Sequence, residues 1–147
     1  MQISISFDGR EIDKKLNTLI KGVKDFKEPL ESTGVELMKF YGEKVFASQG
    51  AEMGGKWKPL APATLRMRAR RQGHYAKPPI ATGKILIWTG ALKKGFKKTV
   101  TRTKLTIENT VKYFKFNQPN RPMLGINAKV IEIVLKNFRN YLEKLTK

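Results

Sequence analysis

The chain has no cysteine and a single histidine, His74, in 147 residues. The first absence excludes disulfides, thiolate nucleophiles and thiolate metal sites. The second leaves no pair of imidazoles for a zinc centre, and no carboxylate lies within twenty positions of His74 in sequence. No Gly-x-Ser-x-Gly elbow accompanies it, so a nucleophilic triad lacks its usual setting. Apolar runs are short, and none approaches the roughly 20 residues that cross a bilayer. The opening Met-Gln-Ile-Ser-Ile-Ser-Phe lacks the basic and long apolar stretches of a secretory signal. The expected compartment is a cytoplasm, or a particle assembled there. No cofactor, metal or membrane contact is expected.

Acidic residues are scarce in one part of the chain only. Lys and Arg number 30 against 12 Asp and Glu, a formal net charge of +18. Residues 1–50 are balanced, with eight basic and eight acidic side chains. Between Glu52 and Glu108 there is no acid at all, yet there are fourteen Lys or Arg. An unopposed cluster repels itself in the free protein, so it implies a polyanionic partner or an acidic protein neighbour.

What is present reads as one α+β domain over 1–147. Ile3, Ile5 and Phe7 alternate with polar residues and predict a strand over 2–7. Asp8 and Glu11 have capping-box spacing. Ile12, Leu16, Leu19, Ile20 and Val23 follow at helical spacing, and Pro29 suits the first turn of a second helix carrying Leu30, Leu37, Met38, Tyr41 and Val45. Residues 48–60 hold enough glycine and proline to be a loop, Pro62 opens a short helix, and 72–83 reads as a long loop. Thr89 is placed to cap a helical turn at Gly90-Ala91-Leu92. Strands are predicted over 96–100, 105–107 and 113–116, and Asn127 caps a last helix bearing Val130, Ile131, Val134, Leu135, Phe138, Leu142 and Leu145. The plan is an antiparallel sheet packed with two N-terminal helices and one C-terminal helix, with 49–83 a projecting basic loop or arm.

Two constellations resemble chemistry without carrying it. Gly50-Ala51-Glu52-Met53-Gly54-Gly55-Lys56 matches Gly-x4-Gly-Lys, but Trp57 stands where a magnesium-binding hydroxyl is needed and Pro59 follows. The acids of residues 8–43 sit among lysines at helix starts and on polar helix faces, where surface pairing explains them. A basic nuclease would need paired catalytic groups that the sequence does not present. The chain is therefore expected not to be an enzyme. Candidate contacts to DNA or to a protein partner are Lys56, Lys58, Arg66, Arg68, Arg70, Arg71, Lys77, Lys93, Lys94, Lys97 and Lys98. Trp57, Trp88 and Arg121 are candidate anchors, of a loop to the core or of an interface.

The order of motifs carries more than any one of them. Gly55-Lys56-Trp57-Lys58-Pro59-Leu60 is followed by the Arg-rich segment, then by Lys84-Ile85-Leu86-Ile87-Trp88-Thr89-Gly90-Ala91-Leu92. An aromatic strand ending Asn117-Gln118 and then Arg121-Pro122-Met123-Leu124-Gly125 are expected before the terminal helix. This series resembles the phage virion morphogenesis, or tail-completion, family of Mu-like and P2-like phages over roughly residues 30–145. The resemblance implies a structural virion protein of the neck or tail end, acting in tail completion or head–tail joining. It implies assembly as a homo-oligomeric ring around the DNA passage, against adjacent neck, tail or connector proteins. The alternative expectation is a free, sequence-independent nucleic-acid-binding protein.

Overall fold

Apolar residues three and four apart wind the first segment into α1 (Gly9–Lys24), and a short break at Asp25 and Phe26 separates it from α2 (Lys27–Lys39). The computed structural model describes residues 9–79 and 83–147, without the side chains of 9–13 and 15. The strand expected over 2–7 and Asp8 lie outside the described residues, and so does the side chain of Glu11, so the capping pair is not described. Pro29 falls in the first turn of α2, as its missing N–H favours, and is fully buried.

The helix does not stop at Lys39. A wider, π-helical turn over Phe40–Lys44 and a final turn, α3 (Val45–Ala47), extend it. The extra residue in that turn brings Phe40 and Tyr41 to the core side together with Val45 and Phe46. These four join Leu37, Trp57, Ile87, Leu92, Phe96, Met123 and Val130 in one buried cluster.

β1 (Phe96–Val100) and β2 (Leu105–Asn109) form an antiparallel hairpin, with Phe96 opposite Asn109 and Val100 opposite Leu105. Burial alternates along both strands, as expected for a sheet with one covered face. That face packs on α2 at Gly34, where a Cβ would stand 2.9 Å from Lys98 Cδ and 3.1 Å from Leu105 Cδ1.

Asn127 caps α7 (Ala128–Thr146), its Oδ1 accepting from the Val130 amide at 3.0 Å. α7 lies antiparallel to α2: Lys136 pairs with Glu36 at 2.7 Å, and Lys144, eight residues on, with Glu28 at 2.6 Å. α7 also packs on α1, where the Tyr141 hydroxyl donates to the Gly22 carbonyl at 3.2 Å. The expected α+β plan with its C-terminal helix is therefore present.

Two local expectations are corrected. Residues 113–116 are not a strand; α6 (Phe114–Asn117) is a short helix. The ladder ends at Asn109, whose Oδ1 accepts from the Val111 amide at 3.1 Å and whose Nδ2 donates to the Leu92 carbonyl at 2.7 Å. This turns the chain, and the alternation of aromatics beyond it reflects a helical turn with Phe114 packed inward and Phe116 exposed. Thr89 does not cap α5 (Ala91–Lys94). Gly90, at φ +72°, holds the cap position, and Thr89 is exposed.

Candidate interaction surface

Trp57 interrupts a run of exposed residues. Lys56 and Lys58 on either side stand in solvent, while the indole is 5% exposed. It meets Phe46 edge to face at 5.4 Å, and its Nε1 donates to the Pro122 carbonyl at 2.9 Å. Gly50 makes room for it: the backbone there has φ +91°, and a Cβ would run into the indole ring. The Trp57 amide donates to the Gln49 carbonyl at 2.7 Å, closing the glycine-rich loop.

The separate motifs therefore meet. Trp57 bonds the 121–125 segment, and Gln49 Oε1 accepts from the Ile85 amide at 2.7 Å. Gln118 closes the segment from its other side. Its Oε1 accepts from the Met123 amide at 2.9 Å and its Nε2 donates to the Leu124 carbonyl. Tyr41 donates to the Gly125 carbonyl at 2.6 Å, and burial raises its phenol above the ordinary value. Gln118 stands in the motif series and Gln49 in the expected loop, but neither was given a role from the sequence; their signal was a polar side chain beside a Gly- or Pro-containing turn.

Arg68 departs from the expected set of surface contacts. α4 (Pro62–Ala69) carries Arg66, followed at its end by Arg70, on one side and Arg68 on the other, as a 100° step per residue requires. Arg66, Arg70 and Arg71 are exposed; Arg68 is 7% exposed. Its guanidinium lies 5.1 Å from the Tyr75 ring centre and 5.0 Å from that of Trp88, and donates to the Lys84 carbonyl at 2.9 Å. Trp88 is itself buried, meets Tyr75 edge to face at 5.2 Å, and donates from Nε1 to the Lys77 carbonyl at 2.9 Å. Thus the 49–83 segment is pinned by Trp57 into the core, and by Arg68, Lys77 and Gln49 against residues 84–88.

Lys98 also leaves the expected set. It lies on the inner side of β1 and pairs with Glu31 of α2. Lys97, one residue earlier, points outward and stands opposite Glu108 in the strand register. The remaining candidates, Lys56, Lys58, Arg66, Arg70, Arg71, Lys77, Lys93, Lys94 and Lys97, are all exposed. Glu52, the last acid before this stretch, is occupied by Lys129 of α7. It does not neutralise the basic stretch.

Between α4 with its following turn and the segments 86–92 and 113–121 lies a cleft of about 800 Å³. Arg68, His74, Lys77 and Arg121 line it, and no acidic residue does so among those described. Arg121 is half-buried; its Nη2 makes one long bond, 3.4 Å, to the Lys58 carbonyl. Its buried Nε has no acceptor among the described residues. Leu86, which also lines the cleft, has φ +61°, a costly conformation for a branched side chain.

Among the described residues no group of three His, Asp or Glu is placed to hold a metal ion, and no helix is long and apolar enough to cross a membrane. No family model, curated protein or solved structure matches this chain.

Proposed function

We propose that this chain is a structural, non-catalytic protein of a tailed-phage particle. It would act in tail completion or head–tail joining through contacts of its basic segment with neighbouring subunits or with DNA in the passage. The observation that carries the reading is the exposure of ten lysines and arginines from Lys56 to Lys97, in a stretch with no acid of its own. Such a surface is costly in the free molecule and is relieved by an anionic neighbour. The ordered series of motifs from Gly55 to Gly125, similar to the virion morphogenesis family, supplies the kind of assembly. A ring of identical copies fits one further feature. Leu16, Ile20 and Val23, spaced along one stripe of α1, are each about half exposed, at 50%, 52% and 51%. They lie in the charge-balanced part of the chain, where copies can meet without repulsion.

The test is electron microscopy and plaque titration of particles made without the protein. Headless tails or unjoined heads and tails, rescued by the intact gene but not by one carrying Arg66→Glu, Arg70→Glu and Arg71→Glu, are expected. Normal, joined, infectious particles in its absence would remove the proposal.

The net charge of +18 also favours a second reading, a free binder of nucleic acid without sequence preference. That reading requires an affinity for duplex or single strands that falls steeply with salt, as phosphate contacts dictate. A flat salt dependence would eliminate it.

A further inference from the structure

The exposed cations explain attraction to any polyanion, but the cleft beside them is selective. Two of its rings, Trp88 and Tyr75, are not platforms for stacking a base. The Trp88 and Tyr75 faces are engaged by Arg68, and each ring meets the other edge to face. What remains open to a ligand is aliphatic wall, Leu60 and Leu86, and the half-exposed Tyr113 ring, together with the lining cations. Arg121 Nε is buried, but its terminal nitrogens carry a single long bond, from Nη2 to the Lys58 carbonyl, and such a pair matches a carboxylate in a planar, two-bond pairing. Lys77 adds a second exposed positive charge, and there is no acid among the described lining residues to compete. The volume, about 800 Å³, is within the range of sites that enclose a few residues of a peptide.

We infer that this cleft is a docking site for an acidic linear segment of a partner protein. One apolar side chain of the segment seats between Leu60 and Leu86, and its flanking carboxylates are held by Arg121 and Lys77. The strained backbone at Leu86 is consistent with a wall held in place for a ligand. The site serves any partner of that chemistry, so it stands whether or not the particle is a phage.

The experiment is fluorescence anisotropy with the full chain and a fluorescein-labelled peptide, Glu-Asp-Phe-Asp-Glu, at about 0.15 M salt. Two control peptides replace either the Phe by Ser or all four acids by their amides. The acidic Phe peptide is expected to bind about tenfold more tightly than either control, because both the anchor and the ion pairs contribute. Arg121→Gln and Lys77→Gln should each weaken it about fivefold or more, whereas Arg70→Gln and Arg71→Gln, outside the cleft, should not. Thr89→Trp fills the cleft from an exposed wall position and should abolish binding without touching Arg121, which guards against a folding defect in the Arg121 variant. Equal binding of the three peptides, no binding at all, or binding indifferent to Thr89→Trp would overturn the proposal. So would displacement of the peptide by oligothymidylate with a preference for the cleft. Particle assembly surviving loss of the protein would leave these binding outcomes unaffected, so the two proposals fail separately.

Discussion

The indole nitrogen of Trp57 donates to the carbonyl of Pro122, 65 residues further along the chain, at 2.9 Å. The bond joins a glycine-rich loop to the turn before the last helix, with the Trp57 ring in the main core and Pro122 at the surface. A loop with so little intrinsic order is held because one large side chain in it is buried.

Replacing that side chain should therefore cost the fold, not the surface. Trp57→Ala is expected to destabilise by about 3–5 kcal/mol, from lost burial and the cavity left behind. Trp57→Phe keeps most of the ring but strands the Pro122 carbonyl, and should cost about 1–2 kcal/mol. Urea denaturation measures both. Equal, small losses would mean that the loop is not anchored here.

Gly50 and Gly54 both have positive φ, +91° and +103°, but only Gly50 faces the indole; a Cβ on Gly54 would meet nothing within 4 Å. Gly54→Ala should cost about 1 kcal/mol through backbone strain alone. Gly50→Ala should cost distinctly more, since Trp57 must move as well. Thermal unfolding of the two variants side by side decides it, and a reversed order would contradict the packing described.

The arginines around α4 should separate into two classes. Arg66→Glu, Arg70→Glu and Arg71→Glu should change stability by no more than about 0.5 kcal/mol each, because their side chains are exposed. Arg68→Ala should cost about 2 kcal/mol, since it removes a buried cation from between two rings and a bond to the Lys84 carbonyl. Denaturation midpoints for the four variants test the division; a null effect at Arg68 would refute it.

Glu36 gives a pH signature. The hydrogen bond from Lys136 holds its carboxyl below the ordinary 4.5, partly opposed by desolvation and aided by Asn137. A carboxylate with a depressed folded pKa stabilises the fold above its unfolded pKa, and that contribution disappears as pH falls through the folded value. Unfolding midpoints followed from pH 7 to about 3 should drop more steeply for the native chain than for Glu36→Gln in the acid window. Because the pair is partly exposed, salt should reduce the difference. Parallel curves would show that the pairing does not persist in solution.

Asn127 serves α7 twice, accepting from the Val130 amide and donating to the Glu52 carbonyl at 2.7 Å. Asn127→Ala should cost about 1–2 kcal/mol, and Asn127→Asp should keep the cap but lose the second bond. A calorimetric melt in which Asp matches Asn would show that the link to Glu52 contributes nothing.

Much of the described fold was legible without coordinates because its signals are local. Helical spacing placed α1, α2 and α7, Pro62 marked the start of α4, Asn127 was recognisable as a cap, and the runs 96–100 and 105–107 read as the two strands of the hairpin. The misreadings also have local causes. A short run of alternating aromatics at 113–116 is ambiguous between strand and helical turn, and only the ladder ending at Asn109 resolves it. Thr89 is a good cap residue beside a glycine that took the position instead.

Amino-acid order alone determined the charge asymmetry, the absence of cysteine chemistry and the amphipathic stripes, since these are properties of composition and of spacing along one chain. It could not say which cations face solvent. That depends on contacts between residues far apart: Lys98 meets Glu31, Arg68 lies between Tyr75 and Trp88, and the other nine candidates stay exposed. A buried or paired cation and an exposed one have the same formal charge. Only the tertiary fold, by setting burial and partners, decides which of them a neighbour can reach.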